Sequence, residues 1–138
     1  MKNKINIKVV NSINKFKAKD WDNCNKNGNV FLSYNFLKLL EDSNSIGGNT
    51  GWQPIYFCLK VDDKITAVVP SFIKYHSQGE FVFDHSWAQA YQSLGLNYYP
   101  KLLIASPFSP VTGKRILVTQ NINALIKKKL FDFIKDFC

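Results

Sequence analysis

The residues best suited to chemistry gather between Lys74 and Arg115, in the stretch KYHSQGEFVFDHSWAQAYQSLGLNYYPKLLIASPFSPVTGKR. It holds both histidines, His76 and His85, and the sole arginine, Arg115. His76 and Glu80 stand four residues apart across Gly79, and Asp84 follows on the same strand parity as Glu80. An imidazole and two carboxylates are groups from which a general base and an amine-binding carboxylate can be made. Trp87, Tyr91 and Tyr99 can line a binding site. Lys101 and Arg115 can meet a carboxylate or phosphate, and Arg115 suits this better because its planar fork pairs two oxygens at once. Each assignment has a plainer counterpart. Glu80 and Asp84 can cap a turn and the helix after it, with Asp84 accepting from N–H groups near Ser86. Aromatic residues at helical spacing are more often core than binding surface. So many aromatic, ionisable and turn-forming residues together fit a pocket wall and an aromatic core layer about equally.

With 138 residues and 46% apolar content, the chain fits one globular domain, residues 1–138. No apolar run approaches the ~20 residues of a membrane span. The N-terminus, MKNKINIKVV, lacks the small-residue cleavage site of a secretory signal, so the expected location is cytoplasmic. The net charge of +8 is spread thinly from Lys2 to Lys135, and Lys127-Lys128-Lys129 is its only tight cluster. With a single arginine to grip phosphates, no nucleic-acid partner is expected. Cys24, Cys58 and Cys138 are odd in number and far apart, and no cysteine accompanies the two histidines. Neither a disulfide framework nor a metal site is expected.

The elements that must position these groups follow from periodicity and turn chemistry. Ile5, Ile7 and Val9 alternate with polar neighbours, which predicts a half-buried strand over 4–10. Ile13, Phe16 and Trp21 predict a short amphipathic helix over 13–24, and Asn25 to Asn29 a loop with Gly28 at positive φ. Ser33 caps a second helix reaching Asp42, with Phe36, Leu37 and Leu40 on one face. After the polar, glycine-bearing loop 43–51, the apolar run 52–61 reads as a strand buried on both faces. Asp62-Asp63-Lys64 turns it back into a second strand over 65–75, where Pro70 requires a bulge or an edge. Further strands are expected at 80–83, 101–105 and 115–118, with a helix over 86–94 closed by Gly95. The final helix places Ile122, Leu125, Ile126, Leu130, Phe133, Ile134 and Phe137 at three- and four-residue steps. This is an α+β (mixed α/β) domain with a central, mostly antiparallel sheet flanked by helices. The last helix runs apolar to Cys138 without a C-cap glycine, so it is expected to meet further chain or to self-associate.

Several blocks carry a resemblance. They are Ser45-Ile46-Gly47, Thr50-Gly51-Trp52-Gln53-Pro54, and Pro70 through His76-Ser77-Gln78-Gly79-Glu80-Phe81-Val82-Phe83-Asp84. Trp87-Ala88, Ala90-Tyr91, Tyr98-Tyr99-Pro100-Lys101-Leu102 and Pro107-Phe108-Ser109-Pro110-Val111-Thr112-Gly113 complete the set. Collinear over roughly residues 30 to 118, they resemble the FemAB-like branch of the GNAT acyltransferase superfamily, the peptidoglycan biosynthesis/recognition proteins. The chain departs from that pattern at His85, where an aromatic usually follows the motif Asp, and near Tyr56, where a basic or His residue is common.

The resemblance implies a GNAT-like domain and, because full members carry a second GNAT-like half, an N-terminal portion of such a protein. It implies transfer of an acyl or aminoacyl group to an amine, which a peptidoglycan precursor can carry. The alternative is a non-catalytic domain that recognises a cell-wall or amino-sugar ligand. Under the first reading His76, Glu80 and Asp84 are the catalytic candidates. Trp87, Tyr91, Tyr99, Lys101 and Arg115 bind the acceptor. The GNAT pyrophosphate loop is glycine-rich and opens a helix. Here Ser109 to Arg115 offers only Thr112 and Gly113, and Pro107 and Pro110 lack N–H donors. The acyl-CoA or aminoacyl donor is therefore expected to be a cofactor of the full-length protein and not of this stretch. Titration of the purified chain with acetyl-CoA at physiological salt should show weak or no binding. Tight one-to-one binding lost in Gly113→Val would place the donor loop here instead.

Overall fold

The computed structural model describes residues 4–26, 28–119 and 122–138. Its backbone is an antiparallel meander: β1 (Ile5–Val10) pairs with β2 (Trp52–Val61), and β2 with β3 (Lys64–Lys74). Two short strands share the far edge of β3. β4 (Lys101–Leu103) lies against Phe72–Lys74, and β5 (Leu117–Val118) against Ala67–Val68. Four helices accompany the sheet among the described residues: α1 (Ala18–Asp22), α2 (Tyr34–Asp42), α3 (His85–Ser93) and α4 (Ala124–Phe137). The fold is the mixed α+β class the sequence implies, with the antiparallel sheet expected of a GNAT-like arrangement.

Both faces of the sheet are covered, which is why β2 and β3 read as nearly continuous apolar runs. On one face Trp52, Tyr56, Cys58, Val68 and Phe72 meet Ile13, Phe16, Trp21, Leu32 and Leu37. Phe16, Trp21 and Tyr56 pack edge to face, with ring centroids 5.1 to 6.1 Å apart. The Trp21 indole donates to the Leu32 carbonyl at 2.9 Å, so its buried N–H is satisfied. Glu41, on the last turn of α2, accepts from the Ser12 hydroxyl (2.6 Å), the Ile13 N–H (2.8 Å) and the Tyr56 hydroxyl (2.8 Å). One carboxylate thereby ties α2 to the segment after β1 and to the sheet. The opposite face holds Phe57, Leu59, Ala67 and Val69 under Leu130 and Ile134 of α4. Among the described residues no helix is long and apolar enough to cross a membrane.

The differences from expectation have local causes. The helix over 13–24 is two pieces, a 3-10 turn at Ile13–Lys15 and α1, because Phe16 and Lys17 are extended between them. Residues 80–83 form no strand. Phe81, Val82 and Phe83 are exposed in a loop, since β4 and not this segment pairs with the end of β3. Pro70 is not at a bulge, since the register shift is at Leu59/Lys60. It falls in the gap between β5 and β4, where the outer edge of β3 is unpaired, which is the edge alternative. In α4 only Leu130 and Ile134 are buried, with Ile126 and Phe133 partly so. Leu125 and Phe137 remain exposed.

The β2–β3 hairpin turns on Asp62 and Asp63, at φ 49° and 63°, the pair of left-handed residues that a tight hairpin needs. Asp62 also exchanges two hydrogen bonds of 2.9 Å with the Lys4 backbone, which fastens the start of β1. Asp63 makes no such bond among the described residues and only bears the conformational cost. Asp63→Gly is therefore expected to raise stability by about 0.5–1 kcal/mol. Urea unfolding should show a higher midpoint at an unchanged slope.

Candidate active site: a buried lysine network beneath an aromatic cleft

Strand register places three side chains in a row. Trp52 at the start of β2 faces Lys74 at the end of β3, and Lys74 faces Lys101 at the start of β4. Lys74 is fully buried, on the same face as Val68 and Phe72. Its ammonium lies 3.8 Å over the Trp52 ring and donates to the Gln78 carbonyl at 2.7 Å. The Trp52 indole N–H donates to that same carbonyl at 3.1 Å. Together they hold the His76–Gly79 turn against the sheet end. Gly79, at φ 76°, is required there. A Cβ would come within 2.9 Å of the Trp52 indole nitrogen and 3.0 Å of the Phe108 ring.

Two lysines facing each other across a strand pair repel unless acids intervene. Glu80 and Asp84 intervene. Lys101 donates to Glu80 at 2.8 Å and to Asp84, while Glu80 lies 4.0 Å from Lys74. Asp84 also accepts from the hydroxyls of Tyr98 (2.8 Å), Tyr99 (3.2 Å) and Ser77. It stands at the N-terminus of α3 without capping it through its side chain, because the network has taken both oxygens. Burial alone would raise the Asp84 carboxyl, but hydrogen bonds from Lys101, Ser77 and Tyr98 outweigh it and hold the group well below the usual carboxylate range. Burial lowers the Lys74 ammonium to about 8, against the attraction of Glu80. Lys101 goes the other way: its bonds to Asp84 and Glu80 overcome burial and raise it.

Over this network opens a cleft of about 260 Å³. Trp52, Phe108 and Leu103 form apolar walls, and Glu80, Ser106, Ser109 and Arg115 are its polar side chains. Phe108 leans on Trp52 at 4.8 Å between ring centroids and holds φ 57°, a conformation bulky residues rarely adopt and one that tends to cluster at functional sites. Arg115 donates to the carbonyls of Val111 and of Gly113 (3.4 Å), which curls residues 111–115 around its guanidinium. Among the described residues three buried side-chain polar atoms lack hydrogen-bond partners. Two of them, Glu80 Oε1 and Ser106 Oγ, belong to this cleft's residues. A wider groove of about 890 Å³ opens at the hairpin end of the sheet, by Asp20, Lys60, Asp63 and Lys64. It contains no such unpartnered atom, so size alone does not make it the site.

The structure thus brings Glu80, Asp84, Tyr99 and Lys101 into one network, and Glu80 and Arg115 into one cleft. His76 is not part of that cleft. Its ring packs on Gly51, where a Cβ would approach Nε2 to 2.1 Å, and its Nδ1 accepts from the Gln78 N–H at 3.2 Å. Trp87 is 66% exposed on α3, and Tyr91 meets the edge of Tyr98 at 5.2 Å. Thr112 and Gly113 line a separate groove with Asn29, Val30, Phe31 and Leu117. Sequence reasoning missed Lys74, Ser77, Tyr98, Trp52, Phe108 and Ser106. Lys74 left a local signal, since it continues the inward parity of Val68 and Phe72, and Trp52, Ser77, Tyr98 and Phe108 lie in the blocks that carry the family resemblance.

Residues 12–138 of the chain match the family model described as FemAB-like, peptidoglycan biosynthesis/recognition. The chain belongs to the FemAB-like family, a peptidoglycan-related group, and the match is wider than the blocks that carry the resemblance in sequence. No curated protein and no solved structure matches the chain significantly.

The Lys74 shift makes a stability prediction. A lysine lowered to about 8 in the fold, against 10.5 when free, leaves the unfolded chain holding more protons between those values. The Lys74 contribution to stability should therefore rise with pH across this window, by up to roughly 3 kcal/mol. Lys101 is raised and loses its contribution only above its ordinary value, outside the window. Burial raises the Cys24 and Cys58 thiols, so the unfolded chain sheds their protons first and stability falls with pH above about 9 on their account. The Lys74 effect is therefore read as a difference: from pH 7 to 10.5 the denaturation midpoint of the parent protein should gain on that of Lys74→Met.

Proposed function

We propose that this chain is the acceptor-side half of a FemAB-like N-acyltransferase. The cleft between the His76–Asp84 loop and the Leu103–Arg115 segment takes an amine-bearing peptidoglycan precursor. An acyl or aminoacyl group is delivered to that amine from a thioester or related donor held outside the cleft. The observation that carries this reading is the cleft itself: a concave, aromatic-walled site with a buried carboxylate, a buried hydroxyl and an arginine, in a chain of a peptidoglycan-related family.

The residues divide the work. Lys74, Lys101 and Asp84 fix the loop so that Glu80 keeps one position. Glu80 binds the N–H groups of the acceptor and aims its nitrogen, which lowers the entropic part of the barrier. Asp84, held far below the usual range by its bonds from Lys101, Ser77 and Tyr98, accepts no proton near neutrality. His76 lies on Gly51, outside the cleft, so the proton lost by the amine goes to water. The same commitment of both carboxylates to lysines favours a second reading, recognition of a cell-wall ligand without catalysis.

Calorimetry of the purified chain with an amine-bearing muramoyl peptide is expected to show saturable binding, weakened about tenfold in Glu80→Gln. Incubating the native gene product with that peptide and labelled acyl or aminoacyl donors should label the amine. Binding without any transfer would favour recognition, and no binding at all would overturn both readings.

A further inference from the structure

Arg115 is the one arginine of the chain, and it has no carboxylate partner among the described residues. Its fork spends N–H groups on the Val111 and Gly113 carbonyls, which set its position and leave further N–H groups free. The ions below the cleft cancel: Lys74 and Lys101 are matched by Glu80 and Asp84. The guanidinium is therefore the unneutralised charge of the cleft, which is complementary to a single anion. Ser106, 2% exposed with its hydroxyl unpartnered, adds a buried polar contact in the same cleft. Ser109 also lines the cleft, but its hydroxyl already accepts from the Val111 N–H. Trp52, Phe108 and Leu103 make the rest of the wall largely apolar, and about 260 Å³ leaves room for a group the size of one or two small residues.

We infer that the cleft binds the free carboxylate end of a peptide whose last side chain is small and apolar. The inference rests on reading this cleft as the acceptor site, and it names how the acceptor is anchored. The carboxylate pairs with Arg115 through two parallel N–H···O bonds. The Ser106 hydroxyl takes a polar group of the terminal residue, and its side chain lies on Trp52 and Phe108. A phosphate is the poorer fit. It carries more charge than one guanidinium neutralises, and both nearby lysines are already paired. Anchoring one end in this way holds the rest of the peptide, with its amine, at a fixed distance along the cleft.

The test compares one amine-bearing peptide ending in alanine as the free acid and as the C-terminal amide, titrated into the protein by calorimetry. The free acid should bind at least tenfold tighter. Arg115→Met should reduce that preference to none while keeping the weak affinity for the amide, and Arg115→Lys should keep part of it. Inorganic phosphate should compete no better than acetate. Equal affinity for acid and amide on the parent protein overturns the inference and leaves the acceptor reading standing. Binding of neither form overturns both. Phosphate competing well below the acetate concentration assigns the site to phosphate and overturns the carboxylate. The acid–amide pair on the parent protein needs no variant, so a misfolded substitution does not spoil the result.

Discussion

A lysine side chain with no exposure to water constrains this end of the molecule more than any other group. An ammonium taken out of water must recover its hydration from the protein or give up its proton. Lys74 does part of each. It is lowered, yet it keeps the Gln78 carbonyl, the Trp52 face and the nearby charge of Glu80. Those three requirements shape the His76–Gly79 turn, because the Gln78 carbonyl must point inward. Gly79 must then pass between the Trp52 and Phe108 rings with no side chain of its own. The second lysine in the row, Lys101, extends the demand to Asp84 and through it to Ser77, Tyr98 and Tyr99.

This economy of charge sets what the site can do. The two carboxylates are fixed in place by the lysines they balance, and Asp84, held well below the usual range, is a poor proton acceptor. The cleft above them is consequently suited to binding and orientation. Its apolar walls exclude water from whatever is bound, and that strengthens the few polar contacts present. The strained backbone at Phe108 is sustained because its ring is held by Trp52 on a rigid sheet edge.

The rest of the fold supplies that rigidity. Glu41 is the counterpart of Lys74 on the helical side, a single ionic side chain with three partners drawn from two separate segments. It locks α2 to the sheet through Tyr56, which lies four residues along β2 from Trp52. Cys24 and Cys58 stay within this packed layer, and burial pushes the Cys24 thiol up to about 12, so it behaves as an apolar filler. The aromatic cluster of Phe16, Trp21 and Tyr56 and the ionic network by Trp52 are therefore parts of one continuous face.

What the sequence determined by itself was local. The Ser33 cap of α2, the Asp62-Asp63 turn, the two-sided apolar runs of β2 and β3 and the stripe of α4 depend on residues close in the chain. Their period or φ preference is therefore visible without a structure. The stretch 74–115 was legible as the place where chemistry gathers, but not in its roles. The alternation of Phe81, Val82 and Phe83 resembles a strand, yet pairing is decided by which segment reaches the edge of β3, and β4 does. Spacing set His76 beside Glu80, whereas the close approach of Gly51 drew the imidazole away. The register of β2, β3 and β4 alone put Lys74 between Trp52 and Lys101. Cross-strand register joins residues distant in sequence, and a one-residue slip would turn each of them to the other face. Local pattern does not encode that choice, so only the tertiary structure decided which acids serve the lysines and that Arg115 has no carboxylate partner among the described residues.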